Sequence, residues 1–395
     1  MNFKQEIINT ICGKKVSHLP FIPRLDIWYK ANKFRNTLPR KYKDATLNEI
    51  VDDIGLGYHT VVPDFSNLRT GESIAFLGLG VYDLKTNPYK IDFSGLDFKF
   101  TTNENGVTET TFKTPYGNIK TTTVYNDAML KSGATIGHTT EHALKNINDI
   151  EAMIYIFENM AVKDNYSDFR QYRRSIGDNG VCVAFSMLSG SPFHHIMKEL
   201  IPFEQFVYTF NDSLPYLEEL SGAISVFFDK ILNIAAMSDS EILFCGANYD
   251  SFLTWPAFFN KYITPFLKKY SKLAHKNNKF FLTHTDGENE NLINEYIESG
   301  IDVADSICPF PMTKLKLPGI RKDFGEKITI WGGLPSICIL EEYMNDYEFD
   351  KYIHELLQSL GKGDHIILSF ADTTPPDGKF ERILKVNKLA KSFKV

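Results

Sequence analysis

The chain has 395 residues, 43% of them hydrophobic and 23% charged, with a formal net charge of −6 at pH 7. Those proportions suit a globular chain able to bury a full core and exclude a disordered or fibrous one. An acidic balance with no strong basic block leaves no electrostatic footprint for nucleic acid or an anionic membrane surface, so neither is expected as a partner.

The five cysteines, Cys12, Cys182, Cys245, Cys308 and Cys338, are odd in number and scattered, with no CxxC. That pattern builds neither a disulfide framework nor a zinc finger, and it points to a reducing, cytoplasmic compartment. No window approaches about 18 uninterrupted apolar residues, and the N-terminus has no apolar run after a basic segment, so membrane spanning and export are not expected.

In chain order, apolar runs alternate with helical periodicity. Residues 19–28, LPFIPRLDIW, read as the first strand. ATLNEIVDDIG, 45–55, spaces Leu47, Ile50, Val51 and Ile54 as one helix face and closes on glycine. A second strand is expected at 58–62. From about 79 to 129 the character changes to alternating Thr, Tyr, Phe and Lys, most plainly in FKTPYGNIKTTTVY, which predicts a β-hairpin insertion turning at 115–118. Helical spacing resumes over 141–160, with His138 and His142 on one helix face. Buried strands follow at 180–185, 242–246, 279–288, 303–308, 327–333 and 365–370, with helices expected at 206–237, 256–275 and 291–299 between them. Eight strands, each followed by helical sequence, predict an α/β fold: a single (β/α)8 TIM-type barrel, 1–395, with the β-rich insertion at 79–129 after strand two. No GxGxxG follows any strand, which weakens a doubly wound sheet as the alternative.

In such a barrel the polar residues just past each strand converge on one face. They include Arg24, Asp26, Asp64, Asn248, Asp250, His284, Asp286, Glu288, Cys308, Asp372 and Thr373. His284 and Asp286 lie two apart, and Asp372 arrives from the last strand. One histidine and two carboxylates suit a divalent metal such as zinc, with Glu288 and Cys308 as further candidate ligands. A metal-free network around His284 is the competing reading. Arg24, Asp26 and Asp250 are the candidate catalytic groups, and Trp28, Asn248, Tyr249 and Trp331 the candidate substrate contacts.

HTDGE, SICPFPMTK, ITIWGGLPS and ILSFADTTPPD, together with PRLDIWYKANKFRNTLP near the start, resemble the uroporphyrinogen decarboxylase superfamily. Besides the decarboxylase of haem synthesis, that superfamily holds methylcobamide:coenzyme M methyltransferases and the methyltransferases of corrinoid-dependent O-demethylases. The resemblance implies a (β/α)8 barrel. It departs from the decarboxylases, whose arginine-rich segment is replaced here by PRLDIWYKANK, with Arg24 kept. It also departs from the thiol methyltransferases, since Asp286 and Asp372 stand where zinc-binding cysteines are expected beside His284. Carboxylates make a harder site, better suited to polarising the oxygen or nitrogen of a methyl donor than to activating a thiol. The resemblance thus implies a zinc-assisted methyltransferase that demethylates a small, methoxyaromatic-type substrate. The methyl would pass to a corrinoid held by a separate protein, because the chain has no DxHxxG motif. The alternative is a cofactor-free decarboxylase in which Arg24 anchors a substrate carboxylate.

Overall fold

The computed structural model of the protein describes residues 2–395. The insertion is larger than one hairpin. Strand β1 (Tyr89–Asp92) pairs antiparallel with β6 (Ala161–Asp164), while β2 (Asp97–Thr102), β3 (Val107–Thr114), β4 (Gly117–Val124) and β5 (His138–Glu141) form a four-stranded antiparallel sheet. Its tightest turn joins Thr114 to Gly117, at the expected place. His138 therefore lies in a strand, and the helix expected from residue 141 begins only at Ile150 and runs to Glu158. Pairing of Thr139 with Thr123 across β4 overrides the helical spacing of the two histidines.

The six later runs form one parallel sheet in chain order: β7 (Val183–Phe185), β8 (Ile242–Ala247), β9 (Phe280–His284), β10 (Val303–Ile307), β11 (Thr329–Pro335) and β12 (Ile366–Ala371). Almost every residue in them is buried, because both faces are covered. Alternate side chains, among them Val183, Phe185, Ile242, Phe244, Leu282, Val303, Trp331 and Ile367, join a small core on one face together with Ile22 and Val61. Those between them, such as Leu243, Phe281, Ile330 and Leu368, face the larger core shared with the helices.

The first two expected strands are not ladders among the described residues. Of residues 19–28 only Phe21 bridges β12, opposite Leu368, with Ile22 N donating to Leu368 O at 2.9 Å. Pro20 and Pro23 remove the donors that a longer ladder needs, and Asp26 opens a helix, Asp26–Arg35. Residues 58–62 meet the other edge at single points, Tyr58 N to Asn179 O at 2.7 Å and Thr60 Oγ1 to Val181 O at 2.6 Å. The helix Leu47–Ile54 forms as its pattern predicts. Thr46 and Glu49 cap each other, Gly55 ends it with φ 67°, and Ile50 and Val51 are its buried residues.

One helix, Leu214–Met237, is long and apolar enough to cross a membrane by length and composition. Here it is amphipathic: Leu217, Leu220, Ile224, Phe227, Phe228 and Ile231 are buried, whereas Val226 and Met237 are exposed.

After β7 the helix Pro192–His195 buries both of its histidines. His195 Nε2 donates to Leu79 O at 2.9 Å, so its Nδ1 accepts from Ser189 Oγ at 3.2 Å. Burial holds the ring neutral and pushes its pKa down to about 4. The folded value lies below the unfolded 6.5, so only the unfolded chain takes a proton between them. Stability is therefore fully present above pH 6.5 and falls as pH drops toward 4, by roughly 3 kcal/mol for this group at 1.36 kcal/mol per unit. Denaturant titrations at pH 7.5 and pH 5 check this, and His195→Gln is expected to flatten part of the difference.

Candidate functional site

At the C-terminal edge of the parallel sheet, two adjacent strands, β9 and β10, and the strand at the sheet's edge, β12, deliver acid and imidazole to one point. His284 is the last residue of β9, Asp305 sits within β10, and Asp372 follows β12. His284 Nδ1 lies 2.6 Å from Asp305 Oδ2, and its Nε2 lies 3.2 Å from Asp372 Oδ1. The same Asp372 oxygen accepts from Arg24 Nη1 at 3.1 Å, while Arg24 Nε donates to Asp26 Oδ1 at 2.8 Å. His59 adds Nε2 at 3.9 Å from Asp305 Oδ1.

Burial alone would keep the His284 imidazole neutral. The hydrogen bonds and charges of Asp305 and Asp372 outweigh it and raise its pKa to about 10. Burial likewise disfavours the Asp372 carboxylate, yet His284 and Arg24 hold it well below the usual carboxylate range. Burial raises Asp286, with Asp372 and Asp305 adding to the rise and His284 opposing it. His59 is desolvated and pushed down to about 4, so it is neutral. Four carboxylates, Asp26, Asp286, Asp305 and Asp372, thus surround one guanidinium and one imidazole, and the imidazole takes up a proton far above its ordinary pKa. That is a place short of positive charge.

One nitrogen of His284 and one oxygen each of Asp286 and Asp372 lie within 4.8 Å of one another. This donor set fits a divalent cation. Asp305 fixes the imidazole through Nδ1, leaving Nε2 turned toward the two acids, the orientation that a metal-binding histidine takes from an outer carboxylate. A cavity of about 150 Å³ opens beside it, lined by the polar Arg24, Asn248, His284 and Asp372 and by the apolar Val61, Phe65, Ile136 and Phe244.

The remaining residues singled out in the sequence lie elsewhere or are otherwise engaged. Arg24 is buried, but in the loop between the Phe21 bridge and the helix, not inside a strand. Asn248 is exposed on the cavity wall with φ 60°, its N–H donating to His284 O at 3.1 Å. Asp250 accepts from Phe252 N and Glu288 N, which shapes the loop after β8. Glu288 accepts from Glu290 N and Lys314 N at 2.9 Å each, and so ties the loop after β9 to the one after β10. Cys308 is buried outside the three-residue cluster, its thiol pushed up to about 12 by burial and then by Asp286, Asp372 and Glu288. The three aromatics expected to contact substrate are core residues. Trp28 donates to Gly378 O at 2.9 Å and stacks on Phe380, Tyr249 OH lies 2.9 Å from Thr283 Oγ1, and Trp331 Nε1 donates to Ile22 O at 3.2 Å. All three are at most 2% exposed.

Asp305 and His59 escaped the sequence reading. The signal for Asp305 was present: an acid inside the apolar run VADSI is costly unless paired, and its partner ends the neighbouring strand.

No family model and no curated relative matches the chain. Its fold is shared with a solved methyltransferase from Methanosarcina mazei, over 98% of each chain, at a TM-score of 0.53 and with 12% of residues identical. At that identity the likeness is one of fold.

Proposed function

We propose that this protein is a metal-assisted methyltransferase of the uroporphyrinogen decarboxylase superfamily, demethylating a small methylated donor and passing the methyl to a corrinoid carried by a separate protein. The observation that carries the reading is the grouping of His284, Asp286 and Asp372 at one end of a parallel sheet, with Asp305 orienting the histidine. We also infer that the scaffold is a (β/α)8-type barrel. In its support, Ile22 and Val61 share the small inner core with residues of all six strands, and their segments lie against the two sheet edges.

His284 Nε2, Asp286 and Asp372 would hold zinc, whose Lewis acidity eases departure of the donor's oxygen or nitrogen. The chain's own contribution is positional. Arg24 pins Asp372, Asp26 pins Arg24, and Asp305 holds the imidazole. Val61, Phe65, Ile136, Phe185 and Phe244 give the cavity an apolar wall that excludes water and suits an apolar donor, while the exposed amide of Asn248 offers it a hydrogen bond. Arg24 is committed to two internal carboxylates, which favours methyl transfer over a decarboxylase using it to anchor substrate.

Protein purified without chelator is expected to carry near-stoichiometric zinc by elemental analysis and to methylate free cob(I)alamin from at least one member of a panel of methoxyarenes and methylamines. His284→Ala should lose both. A metal-free wild type, or no methyl transfer from any donor, overturns the reading. Asp305→Asn should keep the fold and weaken zinc binding by about 10–100-fold, measured by competition with a chromophoric chelator.

A further inference from the structure

A second cavity, about 90 Å³, lies between the inserted antiparallel sheet and the segment after residue 65. Its wall is largely apolar, with Leu68, Ile74, Leu77 and the Tyr125 ring, and one charged residue, Arg69, faces it. Phe65, Thr135 and Ile136 line both this cavity and the one beside His284, so the two share a wall.

Arg69 is incompletely used by the protein. Its Nη2 donates to Ala134 O at 3.0 Å and Thr135 O at 3.2 Å, and the guanidinium carbon lies 3.8 Å from the centre of the Tyr125 ring. Those contacts account for a clamp on the 134–135 segment. They do not account for Nε, which is buried without a hydrogen-bond partner. Nor does any carboxylate lie within 4.0 Å of this guanidinium among the described residues. The guanidinium keeps two carbonyl acceptors and the Tyr125 face but has no counter-ion beside an apolar cavity, and the partner that suits it there is an anion. The volume holds a ring or short chain, and the surrounding side chains favour an apolar one.

We propose that this cavity binds an apolar group ending in a carboxylate, with Arg69 as its anchor. Phe65, Thr135 and Ile136 lie between it and the cavity beside His284, so it is a second ligand site, and its ligand class is a compact apolar monocarboxylate rather than a neutral or cationic molecule.

Calorimetric titration of the full chain with benzoate and benzamide, and with hexanoate and hexanamide, tests this. Each acid is expected to bind at least tenfold more tightly than its amide. Arg69→Gln should abolish that preference, and Arg69→Lys should keep part of it. Ile74→Trp, which fills the cavity from a half-buried position, should weaken both members of a pair alike. Equal binding of acid and amide, an undiminished preference in Arg69→Gln, or no binding of either acid at millimolar concentration overturns the proposal. His284→Ala should retain the acid preference. Retained preference without methyl transfer from any donor would therefore sink the functional reading alone, and methyl transfer without acid binding would sink this one alone.

Discussion

An Arg24→Met chain will be less stable than the parent by about 3 kcal/mol, read as a lower denaturant midpoint at unchanged slope. Methionine keeps the apolar stem, so the loss reports the charge. Removing the guanidinium leaves Asp26 and Asp372 facing each other across a site that also holds Asp286 and Asp305. Breaking a buried ion pair from one side costs about 3–5 kcal/mol. The lower end applies here because the Asp26 and Asp372 side chains keep 22% and 34% of their exposure, and Asp372 retains His284. A second substitution separates charge from geometry. Arg24→Lys restores the charge but cannot reach both acids through a planar fork, so it should recover only part of the stability.

Trp331→Ala will cost about 3–5 kcal/mol, the range for truncating a large buried aromatic. The indole is fully buried in the small inner core, edge-on to His59 with ring centroids 5.5 Å apart, and its N–H reaches the Ile22 carbonyl. Its loss opens a void between the sheet and the site, and it takes a side-chain donor from the Ile22 carbonyl on the weakly paired first segment. Trp331→Phe isolates the second effect. Most of the volume stays while the Ile22 carbonyl goes unpaired, so about 1–3 kcal/mol of the cost should remain. Both variants are read by equilibrium denaturation.

Six of the strands were legible because parallel strands covered on both faces read as near-continuous apolar runs, as in GVCVAF and ILFCG. The edges were not. LPFIPRLDIW has the composition of a strand, but its two prolines block a ladder, and DIWYKANKFR satisfies a helix as well. The cluster of His284, Asp286 and Asp372 was visible as polar residues just past strand ends. The aromatics beside them were misplaced for the opposite reason. A Tyr or Trp at the end of a strand turns inward or outward according to the packing opposite it, and the chain position of Tyr249 carries no information on Phe259 and Tyr296, which pack against its ring. Asp305 carried its signal within its own strand, an acid among valine, alanine and isoleucine, but the histidine that pairs it lies across the sheet and not beside it in the chain.

The bridge at Phe21 also sets a timetable. Arg24 meets Asp372 across 348 residues of chain, Trp28 meets Gly378 across 350, and Trp331 meets Ile22 across 309. Contacts so remote in sequence yield nothing until the chain between them is ordered, so they belong to the last events of assembly. The neighbouring strands β9 and β10 can bring His284 and Asp305 together much earlier. The half of the site short of positive charge is therefore assembled first, and the guanidinium that tempers it arrives only when the opening segment docks.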